Sequence, residues 1–377
     1  MRRRACRGSR SCGCGNVSER AEAPELKTKR RTLAIGMVGL DTSHAVSFTR
    51  LLHDERHPHH VPGGRVVCAW PGGSSDFELS ISRVGRFTRE MAETFGAEIV
   101  ASPEEVAERC DAVMLLAADG RTHPGLFRRI APYGKPVFID KPLAVSSRDA
   151  EEILRLAERH RVPVMSCSSL RFALGPERWA GGGVDSATAP RASGSPASDG
   201  SGPARSAGRT SADGDAAAEE ASIYGADDAV TGADVFGPMP FQPPQPGYFW
   251  YGIHAVEMLY AVFGPGCAEV SAIAAGDHEL IVGVWADGRI GTVRGNRTGS
   301  GAFGALIHHG DRRDLVEPPA DYMLLYAALL GRVLELFRTG RPAVAPHETF
   351  EIIRFLEAAN ESRAADGKIV RLGRREL

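Results

Sequence analysis

A lysine stands at the end of one of the candidate β-strands of this chain. The segment from Gly134 to Leu143 reads GKPVFIDKPL, so Lys141 follows a strand-length apolar run and precedes a proline. A lysine in that position can donate a hydrogen bond to a substrate hydroxyl and lower its pKa, which assists proton removal while hydride leaves the same carbon. The alternative is a solvated surface lysine, and its position alone does not decide between the two.

A glycine turn at the end of the first candidate strand could hold a diphosphate. Residues 36–44 read GMVGLDTSH and lead into a helix, whose first backbone N–H groups can bind an anion. If Gly39 begins a G-x-G-x-x-G motif, Asp41 and His44 replace the second and third glycines, and a carboxylate beside a diphosphate weakens binding. The alternative is an ordinary strand-to-helix turn with Asp41 or Thr42 as N-cap. The candidate cofactor-binding residues of this turn are Gly39, Leu40, Asp41, Thr42 and Ser43.

The second candidate strand ends without the acidic residue that usually binds the adenosine ribose of NAD. Residues 68–75 read CAWPGGSS. Small residues there would leave room for a 2′-phosphate, with Arg83 or Arg86 as its partner, although an ordinary surface loop is favoured. The choice between NAD and NADP is therefore open.

Short apolar runs alternate with segments of helical period from Thr32 onwards, which is typical of a parallel sheet covered by helices. Ser102 and Glu105 form a capping-box signature, and residues 146–161 carry apolar side chains along one helical face. These elements predict an α/β fold, with a Rossmann-type doubly wound parallel sheet over residues 32–167 and a ligand crevice at the carboxyl ends of its strands. The six predicted strands are residues 33–40, 66–70, 99–101, 112–117, 136–139 and 164–167.

The pattern of residues 168–377 predicts a second, α+β domain with an open, mainly antiparallel sheet. An aromatic-rich segment that passes into a helix is predicted over residues 248–263. The other predicted elements are strands over residues 269–275, 279–285 and 290–297, helices over about 321–337 and 347–365, and a short strand over 369–372. Residues 181–220 contain eight Gly, ten Ala, seven Ser and three Pro, which predicts a flexible, low-complexity insertion.

The distribution of charge argues against a basic nucleic-acid-binding surface. The formal net charge is −2, and residues 1–31 hold ten Lys and Arg against three acidic residues, so the remaining chain is more acidic. Those first residues predict a disordered leader or a mis-called start. No apolar run reaches the roughly 20 residues needed to cross a bilayer, and the cysteines show no disulfide framework, so we expect a cytoplasmic protein. A group of four histidines, residues 53, 57, 59 and 60, predicts a solvated loop, and no metal site is expected.

The order of these motifs resembles the glucose-fructose oxidoreductase, inositol dehydrogenase and MocA (Gfo/Idh/MocA) superfamily, of which the chain would be a divergent member. The resemblance rests on the Gly39 turn, Asp111-Ala112-Val113, Thr122-His123 and Asp140-Lys141-Pro142, where the family's fifth strand ends in Glu-Lys-Pro. Residues 247–257 read GYFWYGIHAVE and are similar to a family segment with Asp, Gly and His at alternate positions. Gly252 and His254 match that segment, and Trp250 replaces its aspartate. The resemblance covers residues 32–175 and 245–372.

The resemblance implies a catalytic site at the crevice. Lys141 would contact both nicotinamide and substrate, and His254 would accept the hydroxyl proton, since a neutral imidazole can do so near pH 7. A histidine packed under the sheet is the alternative for His254, and a structural salt bridge is the alternative for Arg171. The other implied residues are Ala117, Ala118, His123 and Asp140 for the cofactor, and Arg171 and Tyr251 for the substrate.

The predicted function is therefore that of an NAD(P)-dependent oxidoreductase that transfers hydride between nicotinamide and a sugar, cyclitol or related polyol. Its predicted partners are this small molecule and further copies of the chain, bound through the C-terminal sheet, but neither nucleic acid nor membrane. One alternative is a non-catalytic sugar- or nucleotide-binding protein that has kept the fold and lost the cofactor site. A second is an enzyme that keeps NAD bound and uses redox chemistry transiently in lysis or epimerisation.

Overall fold

A six-stranded parallel sheet forms the first half of the fold. The computed structural model describes residues 31–174 and 229–373. All six predicted strands are confirmed, and β4 is buried along its whole length, as expected for a parallel sheet covered on both faces. The strands are β1 (Leu33–Val38), β2 (Gly64–Trp70), β3 (Glu98–Ile99), β4 (Ala112–Leu115), β5 (Val137–Ile139) and β6 (Val164–Met165).

Five α-helices connect these strands, and local capping explains where several of them begin. Ser102 Oγ accepts a hydrogen bond from Glu105 N (3.1 Å), and Ser146 Oγ accepts one from Asp149 N (3.1 Å). Both contacts satisfy an N–H group that the first helical turn leaves unpaired. The helices are α1 (Ser43–His53), α2 (Glu78–Glu93), α3 (Pro103–Arg109), α4 (His123–Ile130) and α5 (Ser147–His160).

The strand order β3-β2-β1-β4-β5-β6 is that of a doubly wound sheet. Strand β1 pairs in parallel with β2 on one side and with β4 on the other. The order of the chain reverses at this point, so the segments after β1 and β4 leave the sheet side by side and border a crevice. The predicted Rossmann-type fold is confirmed.

A seven-stranded mixed sheet forms the second half, in the order β12-β11-β7-β10-β9-β8-β13. The predicted antiparallel run β8-β9-β10 is confirmed, but β7 pairs in parallel with β10. Strands β7, β11 and β12 were not predicted. Glycines and a proline interrupt the apolar pattern of β7, and β12 is only four residues long. The strands are β7 (Val230–Pro238), β8 (Cys267–Ala275), β9 (His278–Trp285), β10 (Ile290–Asn296), β11 (Gly304–His309), β12 (Arg313–Val316) and β13 (Val370–Arg371).

Two helices cover one face of this sheet, and a third packs on the parallel sheet. Helix α6 (Gly252–Phe263) lies against β7 and β10, and α8 (Pro346–Ala364) lies against β8. Helix α7 (Tyr322–Thr339) packs its apolar side chains into the core beside β1 and α1. Among the described residues, no helix is both long and apolar enough to cross a membrane. The predicted leader and the predicted insertion at 181–220 lie outside the described residues.

Candidate active site

Lys141 lies just beyond the carboxyl end of β5, at the crevice edge of the parallel sheet. Asp140 N donates to Leu115 O (2.8 Å), which extends the pairing of β4 and β5, and the Lys141–Pro142 peptide bond is cis. Lys141 N donates to the carboxylate of Asp140 (2.8 Å). The Lys141 ammonium lies over the Trp250 ring, 5.6 Å from the ring centre, in a cation–π arrangement. The lysine side chain therefore meets a residue of the second half of the fold.

His44 pairs with the buried carboxylate of Asp140. Its Nδ1 lies 2.6 Å from Asp140 Oδ2, and its ring stacks on Phe48 and meets the edge of Tyr326, at centroid distances of 5.0 and 5.2 Å. Burial favours the neutral acid, but His44 and Lys141 outweigh it and hold the pKa of Asp140 at about 2. Burial, and then the charge of Asp140, raises the pKa of Tyr326 to about 12. Sequence reasoning treated His44 only as a replacement for a glycine and missed this pair.

His254 lies in the first turn of α6, with its ring between Ser168 and two aromatic side chains. Its Nδ1 lies 2.7 Å from Ser168 Oγ, and its ring centre lies 5.2 Å from that of Tyr251 and 5.8 Å from that of Phe303. Burial and then the nearby positive charge of Lys141 lower the pKa of His254 well below its usual value. The imidazole is therefore neutral at pH 7.

The turn after β1 lies in close contact with the segment that follows β4. Gly39 has a φ of 93°, and a Cβ atom on it would lie 2.6 Å from Ala117 Cα, so only glycine fits there. The backbone N–H groups of Gly39 and Leu40 donate to Trp70 O (2.9 Å) and Pro71 O (2.7 Å). The turn is thus tied to the segment after β2 by two of its own donors.

Thr42 is the N-cap of α1, as one of the two alternatives predicted. Its hydroxyl accepts a hydrogen bond from His44 N (3.3 Å). The N–H of Ser43, in the first helical turn, has no acceptor within the helix and can face an anion. This donor lies where the chain leaves the carboxyl edge of β1.

The Asp41 carboxylate is buried and bound by two protein donors. It accepts hydrogen bonds from Ala118 N (2.9 Å) and Ser80 Oγ (2.5 Å). Burial raises the pKa of Asp41, although these hydrogen bonds oppose the shift. The side chain links the β1 turn to the end of β4 and to α2, which differs from the predicted exposure to a diphosphate.

His123 is fully buried and joins the segments after β4 and β5. Its Nε2 lies 2.8 Å from Ala117 O, and its Nδ1 lies 3.0 Å from Pro142 O. Because both ring nitrogens meet backbone carbonyls, His123 fixes the spacing of these two strand ends. Both ring nitrogens of His123 are thus occupied by the protein, and the cofactor-binding role of Ala117, Ala118 and His123 stays a prediction.

Arg171 is held between two acidic side chains. Its guanidinium donates to Glu257 Oε2 (2.8 Å) and also to Glu348, and its side chain is 12% exposed. Burial disfavours the charged guanidinium, but the two carboxylates outweigh it and raise the pKa of Arg171. These contacts favour the structural salt bridge over direct binding of substrate oxygens.

Strand β2 ends on an aromatic side chain, Trp70, where a dinucleotide site usually has an acidic residue. Trp70 lies under the guanidinium of Arg129, 5.8 Å from the ring centre, while Arg86 lies over Phe87 at 4.6 Å. Of the groups that could bind a dinucleotide, Lys141 supplies a hydrogen-bond donor and His254 a neutral imidazole at the end of the crevice formed by β5 and α6. A diphosphate could approach the N-terminus of α1, because the Asp41 carboxylate points away into the protein and binds Ala118 N and Ser80 Oγ.

The prediction of a solvated loop is wrong for His53, which is the last residue of α1, and the histidines of this group make separate contacts. His53 Nε2 accepts a hydrogen bond from Val66 N (2.9 Å), and His59 Nε2 lies 2.9 Å from the carboxylate of Asp321. Burial lowers the pKa of His53 to about 4. Within residues 31–174 and 229–373, no group of three or more His, Cys, Asp or Glu side chains is arranged to hold a metal ion.

Comparison with known proteins agrees with this architecture. Residues 33–167 match the family model GFO_IDH_MocA, described as an oxidoreductase family with an NAD-binding Rossmann fold. A myo-inositol dehydrogenase of Streptomyces leeuwenhoekii, Hyg17, is 41% identical over 73 residues, which are 19% of this chain and 22% of that protein. The chain thus spans about a fifth of the length of this curated relative.

Solved structures share the fold over nearly their whole length. A probable dehydrogenase from Thermotoga maritima has a TM-score of 0.64 at 16% identity, over 90% of this chain and 99% of that one. A myo-inositol dehydrogenase from Corynebacterium glutamicum has a TM-score of 0.63 at 15% identity, over 91% and 100%. GenD2 from gentamicin A biosynthesis, in complex with NAD, has a TM-score of 0.61 at 16% identity, over 94% and 100%.

The predicted family resemblance is confirmed by the family match together with these structures. The match to this family covers residues 33–167, and the family description names an NAD-binding Rossmann fold.

Proposed function

We propose that the protein is an NAD(P)-dependent oxidoreductase that transfers hydride between nicotinamide and a carbinol carbon of a sugar, cyclitol or related polyol. The observation that carries this proposal is that the Lys141 ammonium, at the end of β5, lies over Trp250, two residues before α6, and that its charge acts on the buried imidazole of His254 in the first turn of that helix. A charged donor beside a neutral base suits the removal of a hydroxyl proton.

The two side chains have complementary roles in the oxidation direction. The Lys141 ammonium donates a hydrogen bond to the substrate oxygen and stabilises its developing negative charge. His254 accepts the hydroxyl proton as the carbonyl forms. When bound, the nicotinamide supplies the acceptor for the hydride that leaves the carbinol carbon. Reduction reverses each step, with His254 returning the proton.

The buried His44–Asp140 pair supports this arrangement. Asp140 binds the backbone N–H of Lys141 through one oxygen and His44 through the other. A carboxylate with both oxygens occupied holds the start of the Lys141 side chain in one place. The relatives described as inositol dehydrogenases support a polyol as the substrate class.

The experiment is a screen of polyols and sugars with both nicotinamides, in which formation of the reduced cofactor is followed by absorbance. Lys141→Met should keep the fold and cofactor affinity and reduce hydride transfer by at least about 100-fold. Lys135→Met is the matched control, because Lys135 precedes the same strand at its opposite end. Near-normal activity of Lys141→Met would refute the proposed mechanism.

The second candidate function is that of a binding protein without catalysis. The engagement of Gly39 and Leu40 N–H groups by Trp70 and Pro71 favours it, because these donors are then not available to a diphosphate. Thermal unfolding with NAD and with NADP separates the candidates. A cofactor at 100 times its dissociation constant stabilises the fold by about 2.7 kcal/mol. Absence of stabilisation by both cofactors would favour the binding protein.

We also propose that copies of the chain associate through the second sheet. Ile290 and Leu315 on this sheet are 53% and 64% exposed. Sedimentation of wild type and of an Ile290→Lys variant tests the association, and an unchanged mass in the variant would count against it. The cytoplasmic location stays a prediction.

A further inference from the structure

Ser168 holds the imidazole of His254 and is itself held on several sides. It lies between β6 and a short 3₁₀ helix (Ser169–Leu174) and is 1% exposed. Its carbonyl accepts a hydrogen bond from Arg171 N (3.2 Å). The hydroxyl therefore projects from a fixed backbone toward His254 Nδ1, 2.7 Å away.

The hydrogen-bond capacity of this hydroxyl is partly used. Ser168 Oγ accepts a hydrogen bond from Leu170 N (3.2 Å), which leaves one lone pair and one proton for other partners. Toward His254 Nδ1, the hydroxyl can either accept from an N–H or donate to a lone pair. The two choices place the single proton of the neutral imidazole on opposite nitrogens.

The neighbouring charge distinguishes the two tautomers. Lys141 is the positive group that acts most strongly on His254. A positive charge facing the ring nitrogen that Ser168 does not bind favours a lone pair, rather than an N–H, on that nitrogen. If Nε2 carried the proton, both Lys141 and His254 would present hydrogen-bond donors to a substrate hydroxyl, and neither could accept its proton.

We propose that Ser168 is a positioning residue that accepts a hydrogen bond from Nδ1–H of His254 and thereby keeps the Nε2 lone pair free as the proton acceptor. The role of Nε2 in catalysis rests on the proposed function, whereas the tautomer is a property of the protein alone. Ser168 acts only through His254 and does not contact the substrate.

The tautomer is read directly by long-range ¹H–¹⁵N correlation of the protein labelled in its histidines. Protonated and unprotonated ring nitrogens have well separated ¹⁵N frequencies, and His254→Asn identifies the signals among the 12 histidines. Wild type should show Nδ1 protonated and Nε2 unprotonated. In Ser168→Ala the signals should move toward protonated Nε2, and Ser168→Thr, which keeps the hydroxyl, should restore the wild-type pattern.

Ser169→Ala is the matched control, because Ser169 is the neighbouring buried serine and its removal should leave the His254 signals unchanged. Protonated Nε2 in wild type, or the same tautomer in Ser168→Ala, would overturn the proposal. If Ser168→Ala does not fold, Ser168→Thr and the wild-type spectrum still decide it.

Steady-state kinetics test whether the position of the His254 imidazole affects catalysis. On a substrate that wild type oxidises, Ser168→Ala should lower kcat about tenfold with little change in KM, a smaller loss than the roughly 100-fold expected when an acid–base group is removed. A purely structural role would not produce rescue by threonine. If wild type transfers no hydride, the proposed function fails, while the tautomer measurement still accepts or rejects the role of Ser168.

Discussion

Replacement of Gly39 by alanine tests the contact between the β1 turn and β4. Gly39 has a φ of 93°, which costs an L-residue about 1–2 kcal/mol. Its new Cβ would also lie 2.6 Å from Ala117 Cα, and backbone at that distance must shift, which adds about 1–3 kcal/mol for overpacking. We expect Gly39→Ala to reduce the free energy of unfolding by about 2–5 kcal/mol in the absence of cofactor.

The matched control is Gly134→Ala. Gly134 has a φ of 64°, but no atom lies within 4 Å of the position of its Cβ, so this variant isolates the backbone cost. We expect a loss of about 1 kcal/mol, because a less flexible unfolded chain offsets part of the strain. Urea unfolding of both variants, with equal slopes, measures the difference. Equal stability of the two variants would refute the inferred contact between Gly39 and Ala117.

Two further predictions concern buried charges. Arg171→Met should destabilise the fold by about 3–5 kcal/mol, since the buried Glu257 and the partly buried Glu348 lose their partner. The exposed pair lost in Arg129→Met should cost about 1 kcal/mol or less. Equal urea midpoints of the two variants would contradict the structural salt bridge and favour a substrate role for Arg171. The pKa of Asp140 is lowered to about 2, so His44 contributes stability that is present above pH 4 and is lost as the pH falls toward 2. His44→Ala should therefore unfold at a lower temperature than wild type at pH 7, and this difference should shrink below pH 4. His57→Ala is the control. A difference in unfolding temperature that does not depend on pH would contradict the pairing of His44 with Asp140.

The strands and the crevice could be predicted because their signals are local. An apolar run of strand length between turn residues indicates a buried strand wherever it occurs, and a serine followed by an acid three residues later indicates a helix start. Lys141 was placed at the crevice by these signals, since the end of β5 can be read from the chain. Strand β7 was not predicted because Gly232 and Gly237 weaken its apolar pattern, and because its pairing with β10 depends on residues about 60 positions away.

The partners of the polar side chains could not be predicted. His44 and Asp140 are 96 residues apart, and Ser168 and His254 are 86 residues apart. Asp41 was expected beside a diphosphate, but its carboxylate is bound by Ala118 N and Ser80. Nothing in the neighbouring residues distinguishes a carboxylate that will be satisfied internally from one that will face a ligand.

The sequence by itself determined the strand ends, the glycine turn and the position of Lys141, because periodicity, capping and backbone conformation act within a few residues. Only the tertiary structure decided which titratable groups meet. Packing brings α1, β5, the segment after β6, and α6 to one edge, and burial there leaves each polar group dependent on the partners that the fold supplies. The neutral imidazole of His254 and the ionised Asp140 follow from that packing, since burial and neighbouring charge, rather than residue type, set their protonation.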